Sequence, residues 1–260
     1  LHRIPELDFE LPETLRYVHD ELEALRDDVT ARYGEGACTV FSPCKSSLCM
    51  FFDRKSEHAT AVRSDMDALP VTEKSGTEYA SCHQGHMHAC GHDGHMAMVL
   101  GLAHHLAESF DELPRSVLLV FQPAEETTGG ARFICESGVF ERYGVDRVFG
   151  FHLWPDLAMG EVASRPGPLL AATSESTFDF HGEATHIAKA ADGADSLEAG
   201  MRFVLDAYDY MAEQAKAEPC LLKFGLLQSG QARNVISSHT HIEGSLRTYS
   251  DTMTVTAKQH

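Results

Sequence analysis

The chain has 260 residues, with 21 Lys and Arg against 39 Asp and Glu, a formal net charge of −18. Nucleic acid and anionic membrane both repel an acidic surface, so neither is expected as a partner. No apolar run approaches the roughly 20 residues that span a bilayer, and no signal-peptide pattern opens the chain.

The remaining composition, 43% hydrophobic and 23% charged, suits a globular protein of one large or two moderate domains. Seven cysteines (Cys38, Cys44, Cys49, Cys82, Cys90, Cys135, Cys220) show no disulfide-framework spacing, and their number is odd. They read as reduced thiols, hence a cytoplasmic protein.

In chain order, Pro12 to Arg32 carries Leu15, Val18, Leu22 and Leu25 at helical spacing between charges. This predicts an amphipathic helix started by proline and closed by Gly34. Cys38 to Phe41 and Ser47 to Asp53 predict a strand hairpin, and Thr60 to Arg63 a third strand running into Ser64-Asp65-Met66-Asp67-Ala68-Leu69-Pro70. Two acids at a strand's C-terminal edge suit an α/β active site; a turn-capping pair is the alternative.

Residues 86–95 hold four histidines (His86, His88, His92, His95), Cys90 and Asp93. Imidazole and thiolate are the side chains that bind zinc-like metals best, and a His-rich surface loop is the alternative. Ala97 to Glu108 predicts a helix. Val117 to Phe121 predicts a buried strand that delivers Gln122-Pro123-Ala124-Glu125-Glu126 at its end. Adjacent carboxylates after a buried strand repel each other, and a cation would resolve the conflict. A helix over 131–136 and a strand over 147–151, ending in His152, complete a βαβ rhythm with polar residues at strand ends. Together the strand ends predict a metal cluster on one sheet edge.

The texture changes after Pro168. Ser176 to His181 alternates as a strand, a loop holds His186, Asp195 to Glu213 is a helix, and Cys220 to Gln228 and His241 to Tyr249 are strands. That β-α-β-β order is most of a ferredoxin-like unit. The boundary is expected near Ala172, dividing the chain into residues 1–171 and 172–260.

The motifs Asp65-Met66-Asp67-Ala68-Leu69-Pro70, His88-Ala89-Cys90-Gly91-His92-Asp93-Gly94-His95, Gln122-Pro123-Ala124-Glu125-Glu126 and His152-Leu153-Trp154-Pro155 occur in the order of one family. With Arg165-Pro166-Gly167-Pro168 and Ala232-Arg233-Asn234, they resemble the M20 metallopeptidase superfamily, closest to its amidohydrolase branch of hippurate hydrolases, N-acyl-amino-acid deacylases and auxin-conjugate hydrolases. The resemblance implies an α/β, mainly parallel-sheet catalytic domain with an inserted α+β lid and dimerisation domain. It further implies a homodimer formed through that lid and two divalent ions (zinc, manganese, cobalt or nickel).

By motif, Cys90, His92, Glu126 and His152 resemble metal ligands, with Cys90 bridging. Glu125 resembles the general base, and Asp67 the acid that orients a ligand behind the metals. His186 resembles the lid histidine that helps bind the reacting carbonyl. Asn234, with Arg233 or Arg247, could hydrogen-bond a substrate carboxylate. The chemistry agrees: a metal pair acidifies water and polarises an amide carbonyl, while a nearby carboxylate takes the proton.

The expected substrate is an N-acyl amino acid or a dipeptide-like molecule, with a dipeptidase or an N-acetyldiaminopimelate deacetylase as alternatives. A non-catalytic relative that binds ligand without turnover is the competing class. Glu125, whose loss would mark such a relative, is present. The family's lid commonly shows Gly-Gly-His and a second histidine five residues on; here Ala184-Thr185-His186 and Ala191 stand instead, which bears on substrate class. Residues 254–260 read as the opening turns of the lid's second helix, so a further strand and a fifth, histidine ligand are expected beyond them. His260 falls too early to be that ligand.

Overall fold

Strands β2 (Leu48–Phe52) and β4 (Ser116–Gln122) are apolar on both faces, and such strands need cover on both sides. Residues 1–158 provide it with a five-stranded sheet, order β1-β2-β4-β3-β5, where β1 is Cys38–Phe41, β3 Ala59–Asp65 and β5 Val145–Gly150. On one face Leu48, Met50, Phe52, Leu119 and Phe121 pack against Val18, Leu22 and Val29 of α1 (Pro12–Tyr33) and Met96, Val99 and Ala103 of α2 (His92–Glu108). On the other, Cys49, Phe51, Leu118 and Val120 meet Ile134 of α3 (Gly130–Glu136) and Val139 of α4 (Val139–Arg142). The alternation along β2 and β4 therefore builds three layers.

Strands β4, β3 and β5 run parallel, whereas the β1–β2 hairpin joins β4 antiparallel, so the sheet is mixed. Parallel pairing puts the C-terminal ends of β3, β4 and β5 on one edge. Among the described residues β5 pairs with β3 alone, and as an edge strand it leaves Val148 and Phe149 exposed. One expectation shifts usefully. The helix predicted from Ala97 begins at His92, because Gly91, in left-handed backbone at φ 88, caps it there.

The structure, a computed structural model, describes residues 1–127 and 129–260; Thr128, in the stretch after β4, lies outside the described residues. These divide into two compact units, Leu1–Ala158 and Met159–His260, so the second begins ahead of the expected Ala172, which is instead the first residue of β6 (Ala172–His181). The second unit is an antiparallel sheet, order β6-β8-β7, with β7 at Cys220–Ser229 and β8 at His239–Thr248. Helix α5 (Ser196–Gln214) starts where Asp195 accepts the Leu197 and Glu198 N–H groups, and α6 (Asp251–Gln259) starts at a Ser250 cap. The β-α-β-β order is the one expected. Among the described residues, no helix is long and apolar enough to cross a membrane.

All seven cysteines are free; Cys82 and Cys135 are exposed, whereas Cys38 and Cys49 are buried. Burial pushes the Cys38 thiol up to about 12 and raises Cys49 as well. Only the thiolate reacts, and it forms less readily the further the pKa lies above the working pH. At about pH 8, iodoacetamide is therefore expected to label Cys82 and Cys135 and to spare Cys38 and Cys49 until the protein unfolds. Peptide mass spectrometry checks this, and equal labelling rates would contradict it.

Candidate metal centre

The sheet edge collects the predicted residues of the first unit. Asp65 ends β3, Glu125 and Glu126 follow β4, His152 follows β5, and His92 opens α2. Three groups of possible ligands form there: Cys90 with His92 and His152, His92 with Glu125 and Glu126, and Asp65 with His92 and His95; within each, the ligand atoms lie within 4.8 Å of one another. His92 belongs to all three.

The imidazoles are oriented from behind. His92 Nδ1 donates to the Asp67 backbone carbonyl at 2.7 Å, and Nε2 is turned toward the acids. It lies 3.7 Å from Glu126 Oε1, 3.9 Å from Glu125 Oε2 and 3.6 Å from Asp65 Oδ2. His152 Nδ1 donates to the Leu153 carbonyl at 2.6 Å, and its Nε2 stands 3.3 Å from Cys90 Sγ. A nitrogen ligand whose second ring nitrogen is tied to a carbonyl is the usual arrangement at a metal.

Two observations show that these residues fit a cation. His92 Nε2 and Glu126 Oε1 are buried, and among the described residues neither has a hydrogen-bond partner. Bonds of 2.0–2.3 Å at tetrahedral angles separate ligand atoms by roughly 3.3–3.8 Å, the spacing seen for His92 to Glu126 and Cys90 to His152. The electrostatics agree. Burial pushes the Cys90 thiol up to about 12, with Glu126, Glu125 and Asp65 adding to it. Burial and then Glu126 raise Glu125. A cation among these groups reverses both effects.

Asp67 lies behind His92. Its carboxylate accepts the backbone N–H groups of Glu125 (2.9 Å) and Glu126 (3.1 Å), so it shapes the acidic turn, while its carbonyl orients His92. It is 1% exposed, and burial raises its pKa despite those bonds. Asp65 behaves oppositely. Burial favours its neutral form, but the His95 hydrogen bond and the neighbouring Arg63 guanidinium outweigh that, and its pKa is lowered.

Asp65 is expected at the sheet edge as one of the strand-end acids, whereas no motif role falls on His95. The signal was the three-residue spacing of His92 and His95, which puts both on one face once the helix starts at Gly91.

In the second unit, His186 is exposed, its Nδ1 accepting the Ala188 N–H at 3.2 Å. Asn234 is also exposed, and its carbonyl accepts the Ile187 N–H at 3.0 Å, so residues 186–187 and 233–235 lie side by side. Arg247 is set apart from them. It faces Thr173 near the far end of β8, eight residues from His239 and thus roughly 26 Å along the strand.

Residues 61–258 match peptidase family M20/M25/M40. An N-acetyldiaminopimelate deacetylase from Shouchella clausii is 34% identical over 250 residues, covering 96% of this chain and 64% of the relative. Another of that name, from Streptococcus uberis, is 35% identical over 255 residues, covering 97% and 65%. The chain thus spans just under two thirds of these curated relatives. Among solved structures, a candidate aminohydrolase from methicillin-resistant Staphylococcus aureus aligns with a TM-score of 0.89 at 31% identity, covering all of this chain and 67% of that one. A dinuclear metal-binding peptidase of the M20 family from Bacillus subtilis gives 0.75 at 29%, covering 100% and 65%. With its ligand types gathered on one sheet edge and most of its length matched, the chain belongs to peptidase family M20/M25/M40.

Proposed function

We propose that the protein is a metal-dependent amidohydrolase that cleaves the amide bond of N-acylated amino acids, and that N-acetyldiaminopimelate is its substrate. The first part rests on the convergence of Cys90, His92, Glu126 and His152 with Glu125 beside them. The choice of substrate rests on the names of the relatives, which favour it over the broader class of N-acyl amino acids.

Cys90, His92, Glu126 and His152 would hold two divalent ions, of zinc, manganese, cobalt or nickel. When bound, such a pair acidifies water and polarises the amide carbonyl. Glu125 takes the water's proton and returns it to the leaving amine. Asp67 keeps Glu125 in register through its backbone N–H. In the second unit, read as the lid, His186 meets the reacting carbonyl, and Asn234 with Arg233 receives a substrate carboxylate. The free thiols suit a cytoplasmic setting.

The deciding assay offers the metal-loaded protein N-acetyldiaminopimelate, hippurate, other N-acetyl amino acids and a dipeptide. Hydrolysis of the first well above the rest is the expected result. Preference for the dipeptide would replace this reading with a dipeptidase.

The lid reading includes a two-fold dimer in which His186 serves the partner's site. Mixing inactive His186→Ala with inactive Glu125→Gln protein is then expected to restore part of the activity. No recovery after verified subunit exchange would place His186 in its own subunit's site or outside the reaction.

A further inference from the structure

His152 is exposed and follows an edge strand, yet its ring is held in one orientation. The cause lies one residue on, in the Leu153 peptide. The Leu153 carbonyl accepts His152 Nδ1–H, and the Leu153 N–H donates to His95 Nε2 at 2.9 Å. A backbone N–H can only donate, so His95 Nε2 carries no proton and Nδ1 does. That Nδ1–H goes to Asp65 Oδ1 at 2.7 Å.

Asp65 is fixed in turn. Its Oδ2 receives Arg63 Nη1 at 2.6 Å, and Arg63 Nε donates to Gln122 Oε1 at 2.8 Å. His95 is fully buried, Asp65 nearly so, and the His95 and His152 rings lie 4.7 Å apart. Gly94 completes the fit: a Cβ there would come within 2.6 Å of Leu153 Cδ1. Both His95 nitrogens are thus occupied by protein, which removes it from the ligand candidates.

We propose that His95 is a positioning residue, anchored by Asp65, that fixes the His152 imidazole through the Leu153 peptide. The inference rests on the reading of His152 as a metal ligand. It assigns the Asp65–His95 pair a task of its own: holding the one candidate ligand that arrives on an exposed edge.

The test titrates the whole, metal-free protein with Co2+ and follows the visible absorption of each bound equivalent. His95→Ala is expected to weaken one equivalent about 10–100-fold, the usual effect of losing a group behind a ligand, and His152→Ala, which removes the ligand itself, to weaken the same equivalent at least as much; each should leave the other equivalent unchanged. The double variant should be no weaker than His152→Ala alone. His95→Gln, whose amide oxygen can reach the Leu153 N–H, should recover most of the loss. His95→Asn, too short to reach it, should not.

If His95→Ala binds both equivalents like the parent while His152→Ala loses one, the positioning role is wrong and the ligand reading stands. Losses that add in the double variant would also overturn it. If His152→Ala itself binds like the parent, the ligand reading fails and takes the proposal with it. Should His95→Ala not fold, the Gln and Asn variants decide: equal retention by both overturns the proposal.

Discussion

Glu125→Gln is expected to keep its metal and to lose at least about a hundredfold in turnover. The substitution is isosteric and removes only the ability to take and return a proton. Glu125 Oε2 lies 3.9 Å from His92 Nε2, close to the proposed ions, yet its side chain is 41% exposed and open to an incoming water. Glu126, Cys90, His92 and His152 are untouched, so metal content and metal-free stability should match the parent. A hundredfold corresponds to about 2.7 kcal/mol of transition-state stabilisation, well within what a positioned base supplies. Single-turnover rates alongside metal analysis check it. Near-normal turnover with metal bound would remove Glu125 from the base's role.

Asp67→Asn should weaken metal binding or activity about 10–100-fold and destabilise the fold by about 1–3 kcal/mol. The parent carboxylate accepts two N–H groups at once, from Glu125 and Glu126. An amide offers one acceptor and turns its NH2 toward the other donor, leaving one of the two N–H groups without its acceptor. The loosened turn carries both the proposed base and a proposed ligand, so loss of turnover and loss of metal should appear together, unlike in Glu125→Gln. His92 should keep its orientation, since Asp67 holds it through the backbone carbonyl, which the substitution preserves. Chemical denaturation, metal titration and steady-state kinetics on one preparation separate these effects. Unchanged kinetics with lowered stability would reduce Asp67 to a structural residue.

The sequence by itself determined the secondary elements and the identity of the metal-binding chemistry. Short apolar runs bounded by turn signals, such as Val117 to Phe121, suit strands covered on both faces, and acids or histidines placed directly after them then emerge at the strand ends. The parallel rhythm then puts those ends on one edge, so Cys90, His92, Glu125, Glu126 and His152 were legible before any coordinates.

Tertiary structure decided what each supporting residue touches. Whether Asp67 orients His92 by carboxylate or by carbonyl depends on the path of the chain between β3 and the turn after β4. The place of Arg247 opposite Thr173 follows from the register of β6 and β8, which no motif announces. The task of His95 was invisible because its partners, Asp65 and Leu153, lie 30 and 58 residues away. Hydrogen bonds between distant segments leave no periodicity in a sequence. They are set by how the sheet and the first turn of α2 pack, and that packing turns a histidine-rich stretch into one proposed ligand, His92, and one positioning residue, His95.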